Sequence, residues 1–250
     1  MKIINCLKRY KLLIKYDGEK FFGWQIQKDK RTVQGVIECA LSLVFKIKSR
    51  VIVHGAGRTD SGVHAYQQVA HFDFMTNLNE SSLKNAINSK LEIDCKIISV
   101  KIVNYDFHAR FSALRRQYLY QCYTGNSILF RNQSWLLNKA NLRCLNSLAK
   151  EIIGTHDFLS FSKYNPNIKN TKCKISESRW ILKKDMVIFS VISNRFLHHM
   201  IRYLVGTMVA VSEDRFSKKK FNFLLENPKK NVRIFKAPPQ GLILNKIDYE

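Results

Sequence analysis

The sequence predicts an α+β fold built of two halves, each with a largely antiparallel sheet. Segments with strand and helix periodicity alternate along the whole chain, without the strict strand–helix–strand rhythm of a parallel sheet. Hydrophobic residues make up 46% of the 250 residues, which is enough for a sizeable core. One series of elements ends and a similar one begins near 105–114, so we predict domains at 1–108 and 109–250.

The first half is predicted as strand, helix, strand, loop, strand, helix and strand. Apolar residues at three- and four-residue spacing indicate the first helix, and Thr32 is suited to its N-cap. In the third strand, Ala70 and Phe72 alternate with His71 and Asp73, which is typical of a half-buried strand. The predicted strands are 9–17, 50–54, 68–74 and 95–103, and the predicted helices are 31–47 and 81–91.

The second half repeats this mixture of elements. Gly154 is placed to end its first helix, Ser217 to begin its last, and 164–172 is a polar loop rich in Asn and Lys. The predicted strands are 115–124, 176–184, 186–193 and 241–249, and the predicted helices are 141–154, 196–211 and 217–228.

The charge balance predicts a polyanionic partner. Lys and Arg number 42 against 19 Asp and Glu, which gives a formal net charge of +23. A protein this basic attracts nucleic acid, with an anionic membrane surface as the second candidate. The many Lys, Asn and Ile residues also indicate a compositional bias that would raise the charge without any binding role.

Targeting and cysteine patterns both predict a cytoplasmic protein. The basic first 19 residues lack the uninterrupted apolar stretch of a signal peptide, and no run approaches the ~18 apolar residues of a membrane span. The six cysteines are far apart and form no CxxC pair, so we expect reduced thiols without a zinc site or a disulfide framework.

Most motifs that carry cofactor or hydrolase chemistry are absent from the sequence. It has no GxxxxGK[ST], no GxGxxG after a strand and no GxSxG. The only close histidine pair, His198–His199, falls in a predicted helix, where adjacent side chains point about 100° apart and chelate a metal poorly. We therefore expect no metal and no cofactor.

The glycine-rich stretch HGAGRTDSGVH (54–64) is the best remaining candidate for chemistry. Arg58 and Asp60 are two residues apart, so they project to the same side of an extended segment. A neighbouring guanidinium favours an ionised carboxylate, which suits a nucleophile or general base. From this loop alone, an aspartate that hydrogen-bonds its own turn is the more frequent arrangement.

Three further groups of residues have both a structural and a functional interpretation. Aromatic Trp24 either stacks on a base or is buried beneath a helix. Of Tyr118 and Tyr120, which share one face of a strand, one is expected in the core and the other exposed. Arg202 lies one predicted helical turn from His198, and an exposed flank is favoured over a buried partner for a carboxylate.

An ordered set of segments resembles the TruA family of tRNA pseudouridine synthases. The loop match extends through GAGRTDSGVHA and QVAHFD, and the other matches follow in the family's order over residues 15–244. The remaining matching segments are YDGEKFFGWQIQ, TVQGVIE, FHARFSALRRQYLY, GTHDF, NRFLHHMIRYLVGT and APPQGLIL. Such an ordered set is far more specific than a single loop.

The resemblance implies an enzyme that isomerises uridine to pseudouridine at positions 38 to 40 of the tRNA anticodon stem-loop. It implies a homodimer that uses no cofactor and no essential metal. It also implies that the two α+β halves surround one continuous sheet, with a cleft between them. A binding or RNA-chaperone module without activity, and an unrelated basic structural protein, are the alternatives from other classes.

The resemblance also assigns roles to five residues of this chain. Asp60 matches the essential aspartate, Arg58 the arginine of base flipping, and Arg202 an arginine that pairs with the aspartate. Tyr118 matches the tyrosine that stacks on the target base, and Leu242 an apolar residue of the uracil pocket. Attack at C1′ of the ribose, attack at C6 of the base and a glycal route all remain open.

One segment departs from the family's pattern. Where the family usually has a Gly-containing and often basic stretch, this chain has SEDRFSKKK with two acidic residues. We expect a weakened or reshaped RNA contact near 212–216.

Overall fold

The computed structural model describes residues 6–249, which divide into two compact units. The first extends to Leu114 and includes the C-terminal stretch from Leu244, and the second is Arg115–Ile243. The sequence-based division at 108/109 therefore differs from the boundary of these units by six residues. It also differs because most of the last strand belongs to the first unit. Within the described residues there are ten strands, and the pairing inside each unit is mostly antiparallel. The predicted α+β class with largely antiparallel strands is confirmed.

The first unit has a sheet in the order β4-β1-β3-β10, with the short β2 paired to β3. Central β1 is antiparallel to both neighbours, and Leu12 lies opposite Ala70 of β3 and Val100 of β4. The elements of this unit are β1 (Lys8–Tyr16), α1 (Val33–Phe45), β2 (His54–Gly55), β3 (His64–Phe74), α2 (Glu80–Asn88), β4 (Cys95–Val103) and β10 (Leu242–Asp248), the last beginning in the second unit.

The second unit has strand order β5-β9-β8-β7, with β6 parallel to β5. The central hairpin of β8 and β9 was predicted, although β8 begins at Lys172 rather than at 176. The elements of this unit are β5 (Arg115–Tyr123), β6 (Trp135–Leu136), α3 (Leu142–Glu151), β7 (Gly154–Asp157), β8 (Lys172–Lys183), β9 (Met186–Ser193), α4 (Met200–Ser212) and α5 (Lys218–Glu226).

Helix starts agree with the sequence where a capping side chain defines them. Thr32 accepts a hydrogen bond from the Gly35 N–H at the start of α1, and Ser217 accepts one from the Lys220 N–H at the start of α5. The predicted end of α3 at Gly154 is wrong. That helix ends at Glu151, and Gly154, with φ of +112°, begins β7 instead.

The strand predicted at 50–54 is also wrong, because only His54–Gly55 pairs with β3. Side chains of α1 take the backbone groups of Val53 instead. Its N–H donates to Glu38 Oε1 at 2.9 Å, and its carbonyl accepts from Gln34 Nε2 at 3.0 Å. A buried backbone satisfied in this way does not need a strand partner.

His71 is buried, although its position in β3 alternates with apolar residues. Its side chain is 2% exposed, and its Nδ1 accepts the Ala109 N–H at 3.1 Å, so that nitrogen carries no proton. Burial, the nearby Arg9 and the adjoining His108 and His54 lower the pKa of His71 to about 4. The neutral imidazole is therefore the form that the fold stabilises.

We expect acidification to destabilise the first unit through His71. The folded-state pKa lies below the unfolded value of about 6.5, so this stabilisation is complete above pH 6.5 and is lost as pH falls to about 4. The loss is about 3 kcal/mol. His71→Asn keeps an acceptor for Ala109 but does not titrate. Urea unfolding at pH 7, 5.5 and 4 should show a smaller drop for that variant, and equal drops would contradict the assignment.

Across residues 6–249, no helix has the length and apolar content needed to cross a bilayer. The first five residues of the segment assessed for a targeting signal lie outside the described residues.

Candidate active site

The loop that carries Asp60 connects β2 to β3 in the first unit. Asp60 is half-buried, Arg58 is exposed, and Thr59 between them is buried. The Asp60 carbonyl accepts the Val63 N–H at 3.2 Å, which closes a tight turn. Gly62 in that turn has φ of +77°, a backbone conformation that favours glycine.

Backbone hydrogen bonds from the segment after β1 hold this loop on both sides of Asp60. The Trp24 N–H donates to the Thr59 carbonyl at 3.1 Å, and the Gly62 N–H donates to the Phe21 carbonyl at 3.2 Å. The Thr59 hydroxyl is 2.8 Å from the Tyr16 hydroxyl in the interior. Asp60 is therefore attached to a fixed backbone, as electrostatic and nucleophilic catalysis both require.

Two glycines allow the close approach of these segments. A Cβ on Gly23, which has φ of +86°, would lie 2.5 Å from the Thr59 carbonyl oxygen. A Cβ on Gly55 would lie 2.4 Å from the Trp24 ring. Trp24 is 2% exposed, so of its two interpretations the structure supports burial. The buried ring supports the loop. Phe22 is the exposed aromatic of this segment, with the Lys30 ammonium 4.5 Å from its ring centroid.

Arg58 is hydrogen-bonded to the same segment. Its Nε donates to Gln25 Oε1 at 3.2 Å. The neighbouring Gly57 carbonyl accepts from Gln68 Nε2 at 2.9 Å, which attaches the start of the loop to β3. The guanidinium is thus oriented by a side chain that the sequence analysis did not single out.

In the second unit, Arg202 lies on α4 and is 8% exposed, so the predicted exposed flank is wrong. Its Nε donates to the Ala237 carbonyl at 2.9 Å, and its own carbonyl accepts the Ala237 N–H at 2.9 Å. The one-turn relation of Arg202 to His198 is also wrong. Helix α4 begins only at Met200, because His199 has the left-handed φ of +63°.

The segment that leads to Leu242 packs closely against α4 and β5. A Cβ on Gly206 of α4 would lie 2.6 Å from the Ala237 nitrogen, and one on Gly241 would lie 2.7 Å from the Tyr120 ring. The Tyr120 hydroxyl donates to the Pro238 carbonyl at 2.8 Å. These contacts fix the backbone just before Leu242, whose side chain is buried.

Tyr118 and Tyr120 are both buried, which corrects the expectation that one would be exposed. Tyr118 packs edge-on against Phe196, with ring centroids 5.2 Å apart. Burial raises the pKa of Tyr120 far above its usual value, so it remains a hydrogen-bond donor.

The five candidate residues are divided between the two units. Arg58 and Asp60 belong to the first unit, and Tyr118, Arg202 and Leu242 belong to the second.

Sequence reasoning missed the residues that support the loop: Gln25, Gln34 and Glu38. Gln34 and Glu38 are polar residues one turn apart on an otherwise apolar helix, and they are 5% and 2% exposed. A polar pair within an apolar stripe is the sequence signal that would have indicated a buried hydrogen-bond network.

Comparison with known proteins identifies the family. A sequence profile described as tRNA pseudouridine synthase matches residues 12–112 and 148–250. The chain belongs to the tRNA pseudouridine synthase family. This confirms the resemblance found in the sequence and places the chain among isomerases.

Similar proteins match this chain over nearly the whole length of both sequences. The tRNA pseudouridine synthase A of Dictyoglomus thermophilum is 39% identical over 245 residues, 96% of this chain and 99% of that protein. The protein of the same name from Pseudothermotoga lettingae is 37% identical, over 97% of this chain and 100% of that protein. The corresponding protein from Borrelia hermsii is 36% identical, over 98% and 100%. The similarity therefore includes both units.

Proposed function

We propose that this protein converts uridine to pseudouridine at positions 38 to 40 of the tRNA anticodon stem-loop, with Asp60 as the nucleophile. The observation that carries the proposal is the family match along the chain, combined with a half-buried carboxylate on a loop held by backbone hydrogen bonds. The six cysteines are free thiols, in keeping with a cytoplasmic enzyme.

The reaction breaks the bond from N1 of uracil to C1′ of the ribose and forms a bond from C5 to C1′. A proton leaves C5 and N1 gains one, so the overall change is an isomerisation that needs no oxidant or reductant. The target uridine must first leave the base stack. An ionised Asp60 then attacks C1′ or C6, or assists a glycal route, and the detached uracil turns before it reattaches. Water has to be excluded meanwhile, since it would compete as the acceptor.

The other residues serve these steps in the proposal. Arg58 fills the place of the displaced base, and the Tyr118 ring packs on the uracil face. Leu242 contributes an apolar wall of the uracil pocket. Arg202 forms an ion pair with Asp60 that keeps the carboxylate ionised. No metal or cofactor takes part.

Two segments of the second unit without acidic residues, 163–174 and 229–236, form a basic surface suited to the phosphates of tRNA. The backbone N–H of Lys229 donates to Ser160 Oγ at 2.9 Å, and the Lys230 ammonium is 4.7 Å from the Tyr164 ring centroid. The segments thus lie side by side. Their exposed cations are Lys163, Lys169, Lys172, Lys174, Lys229, Lys230, Arg233 and Lys236. Such a surface supports sequence-independent binding of an RNA backbone.

The acidic departure at 212–216 is partly neutralised within the chain. Arg215 Nε donates to Glu213 Oε2 at 2.8 Å. We propose that this segment contributes little to RNA binding. The protein acts as a homodimer in this proposal, as the resemblance implies.

Mapping pseudouridine in tRNA from cells that lack this protein tests the proposal. We expect the modification at positions 38 to 40 to disappear and all other tRNA pseudouridines to remain, because separate enzymes would form those. Reintroduction of the wild-type gene should restore the lost sites. Unchanged modification at 38 to 40 would contradict the proposed specificity. Loss of pseudouridine at other positions would assign the activity to those positions instead.

A further inference from the structure

A line of hydrogen-bonded side chains runs from Arg58 into the interior of the first unit. Arg58 Nε donates to Gln25 Oε1 at 3.2 Å, and Gln25 Nε2 donates to Gln34 Oε1 at 2.8 Å. Gln34 Nε2 donates in turn to Glu38 Oε1 at 3.0 Å. Exposure falls along this line from the exposed Arg58 to Glu38, which is 2% exposed.

The buried end determines which way each amide points. The Glu38 carboxylate and the Val53 carbonyl accept but do not donate, so the group of Gln34 that faces them must be its NH₂. Gln34 Oε1 therefore points away and accepts from Gln25 Nε2 and from the Ile26 N–H, the latter at 3.1 Å. In the reverse orientation, the buried Gln34 oxygen would face the Glu38 carboxylate and the Val53 carbonyl, which are also acceptors. The Ile26 N–H would then have no acceptor.

The same reasoning extends to the exposed end. Because Gln25 directs its NH₂ toward Gln34, its Oε1 faces Arg58. An amide oxygen is what a guanidinium N–H needs, whereas an NH₂ group would repel it. Among the described residues, Nη1 and Nη2 of Arg58 have no protein partner, so one edge of the guanidinium is held and its terminal nitrogens remain available to RNA.

We propose that Gln25 and Gln34 are positioning residues for base flipping. The buried Glu38 carboxylate fixes the Gln34 amide, Gln34 fixes the Gln25 amide, and Gln25 sets the orientation of the Arg58 guanidinium. The inference rests on the proposed role of Arg58. Arginine has many rotamers, and fixing one before tRNA binds lowers the entropic cost of inserting it into the stem. Glu38 and Gln34 also satisfy the backbone of Val53, so a test has to separate positioning from stability.

The Gln25 side chain allows that separation, because it is only half-buried and Met has a similar volume. We expect Gln25→Met to lower the single-turnover rate of pseudouridine formation about tenfold, with the unfolding midpoint nearly unchanged. Gln27→Met is the matched control. Gln27 lies on the same segment and donates to the Phe22 carbonyl rather than to Arg58, so its variant should keep the wild-type rate.

A double-mutant cycle decides whether Gln25 acts through Arg58. Arg58→Lys keeps the charge but leaves no guanidinium to orient, so Gln25→Met should change the rate less than twofold in that background. A double variant with Gln25→Met and Gln34→Met should likewise have the same rate as Gln25→Met alone, although Gln34→Met lowers the unfolding midpoint.

Three outcomes would overturn the inference. The first is a wild-type rate for Gln25→Met. The second is a loss of rate from Gln25→Met that is as large in the Arg58→Lys background as in the wild type. The third is a wild-type rate for Arg58→Lys alone. A wild-type protein that forms no pseudouridine would instead refute the proposed function, and the assay separates the two cases because every variant is compared with the wild type.

Discussion

Asp60→Asn is expected to abolish pseudouridine formation and to leave tRNA binding nearly intact. Asparagine has the shape of aspartate but lacks the negative charge that a nucleophile brings to C1′ or C6. Loss of a catalytic nucleophile lowers the rate by about 10⁴-fold or more. Single-turnover assays with a labelled anticodon stem-loop would measure the rate, and equilibrium binding of the same RNA would measure affinity.

The backbone around Asp60 predicts that this variant folds normally. The carbonyl that accepts the Val63 N–H and the bonds at Thr59 and Gly62 are unaffected by the side chain. Asp29→Asn is the matched control, since it makes the same change of charge at an exposed residue with φ of +54°, which Asn tolerates well. A normal rate for Asp60→Asn would exclude the nucleophile role, and lost binding would make Asp60 a binding residue instead.

Local signals predicted the parts of this fold that local interactions determine. The caps of α1 and α5 were predicted from single hydroxyl residues that hydrogen-bond within three positions. The C-terminal strand was likewise predicted, at 241–249, and the structure has it at Leu242–Asp248. The local sequence did not indicate that part of this strand belongs to the first unit.

The errors arose where distant residues determine the conformation. Residues 50–53 have β-branched residues typical of a strand, but Gln34 and Glu38 of α1 bind the Val53 backbone in place of a neighbouring strand. The burial of Arg202 depends on the Ala237 carbonyl, 35 residues later in the chain. No window of sequence around either position contains that information.

The candidate site shows the same division. Asp60 and Arg58 were singled out within one loop by their spacing and residue types, and the ordered set of matching segments then favoured a catalytic role over an ordinary turn. The support for that loop comes from 16–25 and from α1, which only the fold brings near it. The aromatic residues of this segment illustrate the limit, because Trp24 is buried and Phe22, two residues away, is exposed.

Gly23→Ala is expected to destabilise the first unit and to displace Asp60. An alanine at φ of +86° is strained, and its Cβ would lie 2.5 Å from the Thr59 carbonyl oxygen and 3.1 Å from the Asp60 carbonyl carbon. Strain and overpacking together cost roughly 3 kcal/mol of unfolding free energy. Since the contacted atoms are backbone of the loop that carries Asp60, the protein relieves the clash only by moving that loop. A shift of about 1 Å at a catalytic group lowers the rate about 100-fold.

Urea unfolding and single-turnover assays would measure the two effects of Gly23→Ala separately. Gly57→Ala is the stability control in the same loop, because a Cβ there has no atom within 4 Å and the residue has no positive φ. That variant should unfold within about 0.5 kcal/mol of the wild type. If Gly23→Ala were as stable and as active as the wild type, the loop would not depend on this close contact. If it lost stability but kept its rate at low temperature, the contact would support the fold without positioning Asp60.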